Sequence, residues 1–596
     1  MDFQQLLDNA HQALNKGEVA HALFICRQAV ELEPNNATAQ SNLSYLAYLN
    51  GDLPQALLAG ASAVELHPGS VDARINFANA LRTNGEPEAA LDQLEASLQF
   101  HNQSAIAWTQ LNLVYQDLGR PFDAIRAGTT AIGLDNSMPH AYSNLALSYQ
   151  QLGMVQKADS LLKKALEFSP SADFLHKNHL MNLQYLPLAS SEEMRTAALG
   201  YGALAPAPVS QIERRSHSDS TPLRVGFVSG DFRQHPVGIF LAAVLAGFHP
   251  ENIRTTLYAS QHIEDELTEK LKSNCHNWTN IQKLDDRAAT QLIRDDHVDI
   301  LIDLSGHTGG SRLNIFSYRA APIQISWLGY FASTGVAEMD YVLMGEAQVV
   351  EGTQSYFSEK LVVLPGSQFC YTPPLNAPTA LCSPLEKNGF ITFGCFNNTA
   401  KLNTDVIRTW ARILHEVENS QLILKWSIFD DQEAKNYFWN QFRQYNISAD
   451  RIELRGKSTH PEMMDEYNDI DIALDPFPFS GALTSCEALW MGVPVITMPR
   501  IRPVSRQTAG ILSQLGKTEL IAENVHQYIN IARMLAADKN HIAQYKTELR
   551  GAMADSALTN GMKMARELEK VFLSLHNTID TVLLATSDTP SNSRQS

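Results

Sequence analysis

The sequence has no run of about 18 apolar residues, the length a membrane-spanning helix needs, so no membrane partner is expected. Basic charge is scarce. There are 46 Lys and Arg against 64 Asp and Glu, a net charge of -18. Nucleic-acid binding needs a basic surface to neutralise phosphates, so that partner class is excluded. The six cysteines (Cys26, Cys275, Cys370, Cys382, Cys395, Cys486) contain no Cys-x-x-Cys pair. That excludes a zinc knuckle, offers no disulfide framework and points to a reducing compartment. Walker A, GxSxG and HExxH motifs are all missing, which removes the commonest phosphate-loop, serine-hydrolase and zinc-protease readings. The opening MDFQQLLDNAHQAL reads as an amphipathic helix without the order of a secretory signal, so the expected location is cytoplasmic. What is present, 44% hydrophobic and 18% charged residues, is the balance of a soluble globular chain. A length of 596 residues leaves room for about three or four domains.

An internal repeat dominates the first third. Gly17, Gly51, Gly85, Gly119 and Gly153 recur every 34 residues, in phase with Ala22, Ala56, Ala90, Ala124 and Ala158. Ala29, Ala63, Ser97, Ala131 and Ala165 form another small-residue column, and Pro34, Pro68, Asn102, Asn136 and Pro170 close the units. A turn glycine, small residues where helices cross and a breaker at the unit end make the tetratricopeptide pattern. Each unit is a helix pair that buries its apolar face only against its neighbours. Nine residues before each glycine stand Asp8, Asn42, Asn76, Gln110 and Asn144, on the first helix of each pair, which lines the concave groove of such solenoids. A carboxamide offers both donor and acceptor, so Asn42, Asn76, Gln110 and Asn144 can hold an extended acceptor peptide by its backbone. The alternative is local bonding within each repeat.

The periodicity changes from Leu223. Apolar runs LRVGFVSGDF, RTTLYAS, VDILIDLSG, PIQISWLGY, DYVLMG and KLVVLP alternate with helical stretches, and GFITFGCFN, QLILKWSIF, RIELRG and DIALD follow after a Pro-rich break. Strands alternating with helices predict parallel α/β sheets. The predicted fold class is therefore a multidomain α plus α/β chain: an N-terminal tetratricopeptide α-solenoid, then two Rossmann-like lobes across a cleft. The boundaries are a solenoid over 1–184, a helical cap and linker over 185–220 and a first lobe over 221–375. An inter-lobe linker spans 376–388, the second lobe 389–579 and a disordered tail 580–596.

Ligands of open α/β sheets bind at the carboxyl ends of strands, and the chemistry-bearing residues fall in such loops. In DPFPFSGALTSCEALWMGVP a strand meets a helix amino end, whose free N–H groups and dipole suit a phosphate. Gly481, Ala482, Thr484 and Ser485 let a ligand approach, and Glu487 lies one turn in, within reach of ribose hydroxyls. Lys401 follows a strand and precedes a helix, where an ammonium can neutralise a departing diphosphate. His235, in SGDFRQHPVG, can orient or deprotonate an acceptor. His307 occupies the corresponding loop GHTGGSR. Asp469-Ile470-Asp471 imitates a metal-binding pair but stands at a strand start, away from the cleft.

The segments RVGFVSGDFRQHPVG, DILIDLSGHTGG, RAAPIQISWLGYFASTG, ITFGCFNNTAKLN, SGALTSCEALWMGVPVITMP and VSRQTAGIL, with the repeats, resemble the O-linked N-acetylglucosaminyltransferase/SPINDLY family. The resemblance is to the bacterial type, without the large insert between lobes that some animal relatives carry. It implies a GT-B catalytic half and an inverting, metal-independent protein glycosyltransferase with no cofactor beyond its nucleotide-sugar donor. The expected reaction carries N-acetylglucosamine from UDP-GlcNAc to Ser or Thr of intracellular proteins. O-fucosyl transfer from GDP-fucose, asparagine glucosylation and a non-catalytic scaffold are the alternatives. It further implies that His235 and Lys401 are catalytic. Asn398, Gly481, Ala482, Leu483, Thr484, Ser485 and Glu487 would contact the donor, with His307 assigned beside them. The family's HTT triplet is Ala482-Leu483-Thr484 here, and a histidine of the HLxxY segment is Met463. Both departures bear on which nucleotide binds. A homo-oligomer is left open.

Overall fold

A computed structural model describes residues 1–210, 212, 222–261 and 263–587. The chain forms two compact units, one of Met1–Leu175 with Ser427–Phe438, the other of the remaining residues.

The first unit is the solenoid. Five helix pairs run from Phe3–Asn15 and Val19–Leu32 to Pro139–Gln151 and Val155–Phe168. The repeating glycines turn each pair with φ between 69° and 82°, a left-handed backbone that glycine adopts without strain. The small-residue columns are fully enclosed: Ala22, Ala56, Ala90, Ala124 and Ala158, and Ala29, Ala63, Ser97, Ala131 and Ala165, each 0% exposed. Phe174 and Leu175 close the fifth pair, Phe174 stacking on His140 at 4.4 Å and Leu175 packing with Tyr142 and Ala165. The segment Ser427–Phe438, read from sequence as part of the second lobe, packs on the fourth pair. Arg126 pairs with Glu433 at 3.0 Å and Phe122 meets Tyr437 edge-on at 5.8 Å.

The second unit holds two parallel sheets. In the first, β1 (Leu223–Ser229), β2 (Ile253–Ala259), β3 (Asn277–Asn280), β4 (Ile300–Asp303), β5 (Ile323–Ser326), β6 (Tyr341–Gly345) and β7 (Lys360–Leu364) stand in the order β3-β2-β1-β4-β5-β6-β7. In the second, β8 (Ile391–Cys395), β9 (Ser420–Lys425), β10 (Ile452–Arg455), β11 (Ile472–Leu474) and β12 (Val495–Ile496) stand as β10-β9-β8-β11-β12. The order reverses between β1 and β4 and again between β8 and β11. Those switch points leave a crevice beyond the strand ends, and the loops after these four strands are the ones carrying His235, His307, Lys401 and Gly481. The helix Ser191–Gly202 joins the first lobe through a close crossing. A Cβ on Gly202 would strike the Gly335 carbonyl, and one on Gly335 the Ala198 carbonyl.

Several boundaries differ from the sequence reading. The expected inter-lobe linker contains a short helix, Pro384–Asn388. The last helix spans Gly561–Ser587, past the expected start of the tail at 580, and returns to the first lobe. There Phe572 lies 6.4 Å from Phe248, and Glu569 accepts from the His249 N–H at 2.6 Å. Residues 588–596, and 211 and 213–221 of the expected junction, lie outside the described residues. Among the described residues no helix is long and apolar enough to cross a membrane.

Candidate functional site

The site assembles at the switch point of the second sheet. Beyond β8 the chain makes a 3-10 turn, Thr399–Lys401, which brings the Lys401 ammonium back over the strand end. Its Nζ donates to Asn397 Oδ1 at 2.9 Å and to the Ser480 carbonyl at 3.0 Å. Thr484 Oγ1 donates to the same Asn397 oxygen at 3.1 Å. Asn397 is thus the hub. Asn398, the expected donor contact, caps the turn by accepting from the Ala400 N–H at 2.9 Å. Neighbouring residues of an extended chain point to opposite sides, so only one of the pair faces Lys401.

Desolvation pushes the Lys401 amine down to about 8, against the attraction of Asp475. Only the protonated amine neutralises a diphosphate, and burial makes it lose that proton at a lower pH than usual. The kcat/KM for the donor, which reports the free enzyme, is therefore expected to fall about tenfold per pH unit above pH about 8. A flat alkaline limb would remove Lys401 from this role.

The loop after β11 is held by Asp475, which is not among the expected site residues. The carboxylate is 1% exposed and accepts from the Gly481 N–H and from Thr497 Oγ1, both at 2.6 Å. Burial raises its pKa to about 6. A Cβ on Gly481 would crowd Thr484 Oγ1, Ser485 Oγ and Asp475, so a side chain there would have to displace them. The helix Leu483–Trp490 then starts at Ala482 with no side-chain cap. Its first N–H groups and the positive end of its dipole are left for an anion. Ser485, expected to contact the donor, is buried and shares a 2.8 Å hydrogen bond with Thr508.

One turn into that helix Glu487 is 2% exposed, and its Oε1 lies 2.8 Å from His460 Nε2. Burial raises the Glu487 pKa, while the hydrogen bond to Glu487 raises that of His460. Both residues line a cleft of about 370 Å3 with Leu483 and Met464 of the second lobe, Gln234 and Ile239 of the first, and the Pro-rich stretch Tyr371–Pro378. His460 was missed because a lone histidine at a helix start carries no local signal. The 27-residue gap to Glu487 is closed only by folding.

His235 caps the helix Pro236–Leu245 through Nδ1, which accepts from the Val237 N–H at 3.4 Å. Its pKa is lowered, chiefly by desolvation and with help from Arg233, against the pull of Asp231. With Nδ1 accepting, the neutral ring carries its proton on Nε2 and can donate a hydrogen bond there. His307, also expected beside the donor, lies in the first lobe. It is 3% exposed, wedged edge-on between Tyr201 and Tyr330 at 4.6 and 5.0 Å, with Nε2 2.9 Å from the Thr334 carbonyl. Burial drives its pKa down to about 3, so it packs as a neutral ring.

The Asp469/Asp471 pair is structural. Asp471 accepts from Ser383 Oγ and from the Leu385 and Thr392 N–H groups, and Asp469 pairs with Arg455 at 2.7 Å. Among the described residues no group of three or more His, Cys, Asp or Glu converges as a metal site. In the solenoid, Asn76 Nδ2 donates to the Ser41 carbonyl and Oγ at 3.3 and 3.1 Å, so it bridges repeats through its amide nitrogen. Asn42, Gln110 and Asn144 are half-buried.

Comparison with known proteins follows this geometry. The sequence model of Glycosyl transferase family 41 matches residues 203–372 and 385–568, and that of the tetratricopeptide repeat matches 139–171. A tomato (Solanum lycopersicum) protein named probable UDP-N-acetylglucosamine–peptide N-acetylglucosaminyltransferase SPINDLY is 31% identical over 417 residues, 69% of this chain and 45% of the relative. The Arabidopsis thaliana protein of the same probable activity named SEC is 28% identical over 367 residues, 60% of this chain and 37% of the relative. The chain thus spans less than half the length of these curated relatives. A solved mutant of Thermobaculum terrenum O-GlcNAc transferase superposes with TM-score 0.79 at 28% identity, covering 85% of this chain and 97% of that one.

Proposed function

Because the chain belongs to glycosyl transferase family 41, we propose that it transfers N-acetylglucosamine from UDP-GlcNAc to Ser or Thr hydroxyls of proteins in the cytoplasm. The observation that carries this reading is the convergence of the Lys401 ammonium, Asn397 and Thr484 on an uncapped helix amino end. A diphosphate seated there is met by one cation and by free N–H groups as its charge develops. Glu487, with Oε1 turned to His460, has Oε2 for a ribose hydroxyl. The nucleoside then lies in the cleft toward Tyr371–Pro378, and the acceptor hydroxyl approaches from the His235 side. Attack on the anomeric carbon opposite the leaving diphosphate inverts that centre, with His235 orienting the acceptor hydroxyl through Nε2–H while the hydroxyl proton is released to water. Neutralisation comes from Lys401 and the helix end, so no metal is required. Six unpaired cysteines accord with a reducing compartment.

The direct test is a donor panel of UDP and GDP sugars scored by thermal shift and by transfer to protein, each with and without exhaustive chelation. The expected result is stabilisation by UDP-GlcNAc and transfer that survives the chelator. Preference for GDP-fucose would reassign the sugar, strict metal dependence would overturn the neutralisation scheme, and no stabilisation by any donor would mean a scaffold.

The solenoid is assigned the acceptor. Alanine at Asn42, Asn76, Gln110 and Asn144 together removes hydrogen bonds of roughly 0.5–1.5 kcal/mol each. The acceptor KM is expected to rise while donor affinity holds. Unchanged modification of a full-length acceptor would leave the column a purely structural feature.

A further inference from the structure

Beside Lys401 stands an aromatic group drawn from distant parts of the second unit. The Lys401 ammonium lies 4.5 Å from the centroid of Phe479, a ring 9% exposed in the loop after β11. Phe479 lies against Tyr185 at 4.9 Å, tilted 31°, and meets Phe331 edge-on at 5.9 Å and 82°. Tyr185 and Phe331 are half-buried. Phe331 follows β5 in the first lobe, and Tyr185 is the last residue of the helix Asp173–Tyr185.

That helix end is fixed with unusual care. Arg502, 4% exposed, donates to the Leu183 carbonyl at 2.9 Å and to the Leu186 carbonyl at 2.6 Å. Gln184 Nε2 donates to the Tyr330 hydroxyl at 3.1 Å, which in turn donates to the Leu180 carbonyl at 3.1 Å. A buried guanidinium is costly. Here it satisfies the orphan carbonyls of a helix terminus whose dipole favours a cation. The result is a Tyr185 ring held on both sides of the chain and set against Phe479.

We propose that Tyr185, Phe331 and Phe479 form a shelf that receives the transferred pyranose of the donor and helps select it. This rests on the donor reading above. A sugar whose diphosphate is held by Lys401 is joined directly to that phosphate, so its ring must lie beside the cation, where these aromatics stand. A pyranose presents C–H groups on its faces, and apolar aromatic walls with a few polar groups are how pockets hold such ligands. The shelf is a specificity element. Lys401 and the helix end grip any nucleoside diphosphate, whereas the shelf touches only what is attached to it.

Isothermal titration of Tyr185→Leu with UDP and with UDP-GlcNAc tests this, using GDP and GDP-fucose if wild type binds those instead. The affinity for the free diphosphate should stay at the wild-type value, while that for the sugar nucleotide falls roughly five- to tenfold, the worth of one aromatic contact. Phe331→Leu, from a different element, should repeat the split and decides the matter if Tyr185→Leu fails to fold. Equal loss for both ligands, or no loss for either, would overturn the shelf. So would a loss confined to the KM for protein acceptor, which would give the rings to the acceptor. Failure of the wild-type protein to bind either diphosphate would instead bring down the donor reading itself.

Discussion

Replacing Lys401 with methionine is expected to lower transfer by about two to three orders of magnitude, the usual loss when one preorganised charge contact to a developing anion is removed. The fold should survive. Burial depresses the Lys401 pKa to about 8, below its unfolded value, so the folded chain holds this proton less tightly than the unfolded chain does. Below pH about 8 the charge therefore opposes folding, and a neutral side chain of similar length relieves that cost. The Ser480 carbonyl keeps a donor in Gln507 Nε2 at 3.3 Å. A melting temperature at or above wild type together with near-normal turnover would show that the ammonium is not the leaving-group cation.

Glu487→Gln should act on binding instead of chemistry. The substitution keeps the shape and removes the charge that a ribose hydroxyl would meet. Hydrogen bonds to charged groups are worth about 1.5–3 kcal/mol, so the donor KM is expected to rise about ten- to a hundredfold with kcat little changed. A buried carboxylate whose pKa is raised by burial is disfavoured in its charged form. The amide should therefore not destabilise the lobe. A donor KM within a factor of about two of wild type would take Glu487 out of the nucleotide site. A fall in kcat alone would place it nearer the reacting carbon than the cleft suggests.

The two substitutions separate what neighbouring residues do. Lys401 and Glu487 lie on either side of the helix start at Ala482, one facing the loop Phe479–Gly481 and the other facing His460. Loss at the first should appear in turnover and loss at the second in affinity, because a leaving group gains charge during reaction whereas a ribose does not.

The amino-acid sequence by itself determined the solenoid. Each helix pair buries the same face against the same kind of neighbour, so one physical constraint recurs every 34 residues, and Gly17 to Gly153 and Ala22 to Ala158 record it in phase. It also determined the parallel sheets and the loops at their switch points, because apolar strands and their Gly- and Pro-marked ends are local features. Lys401, Gly481 and Glu487 were legible for that reason.

Only the tertiary structure decided which side chains face one another. It selected Asn397 over Asn398 as the partner of Lys401, turned Ser485 toward Thr508 and sealed His307 between Tyr201 and Tyr330. It also brought His460 to Glu487 and carried Tyr185 from the end of a helix to Phe479, 294 positions along the chain (479 minus 185). Those outcomes depend on side-chain direction and on loops closing over long separations. A period or a motif carries no record of either, since the same local pattern is compatible with a ring that points into the cleft and one that points away.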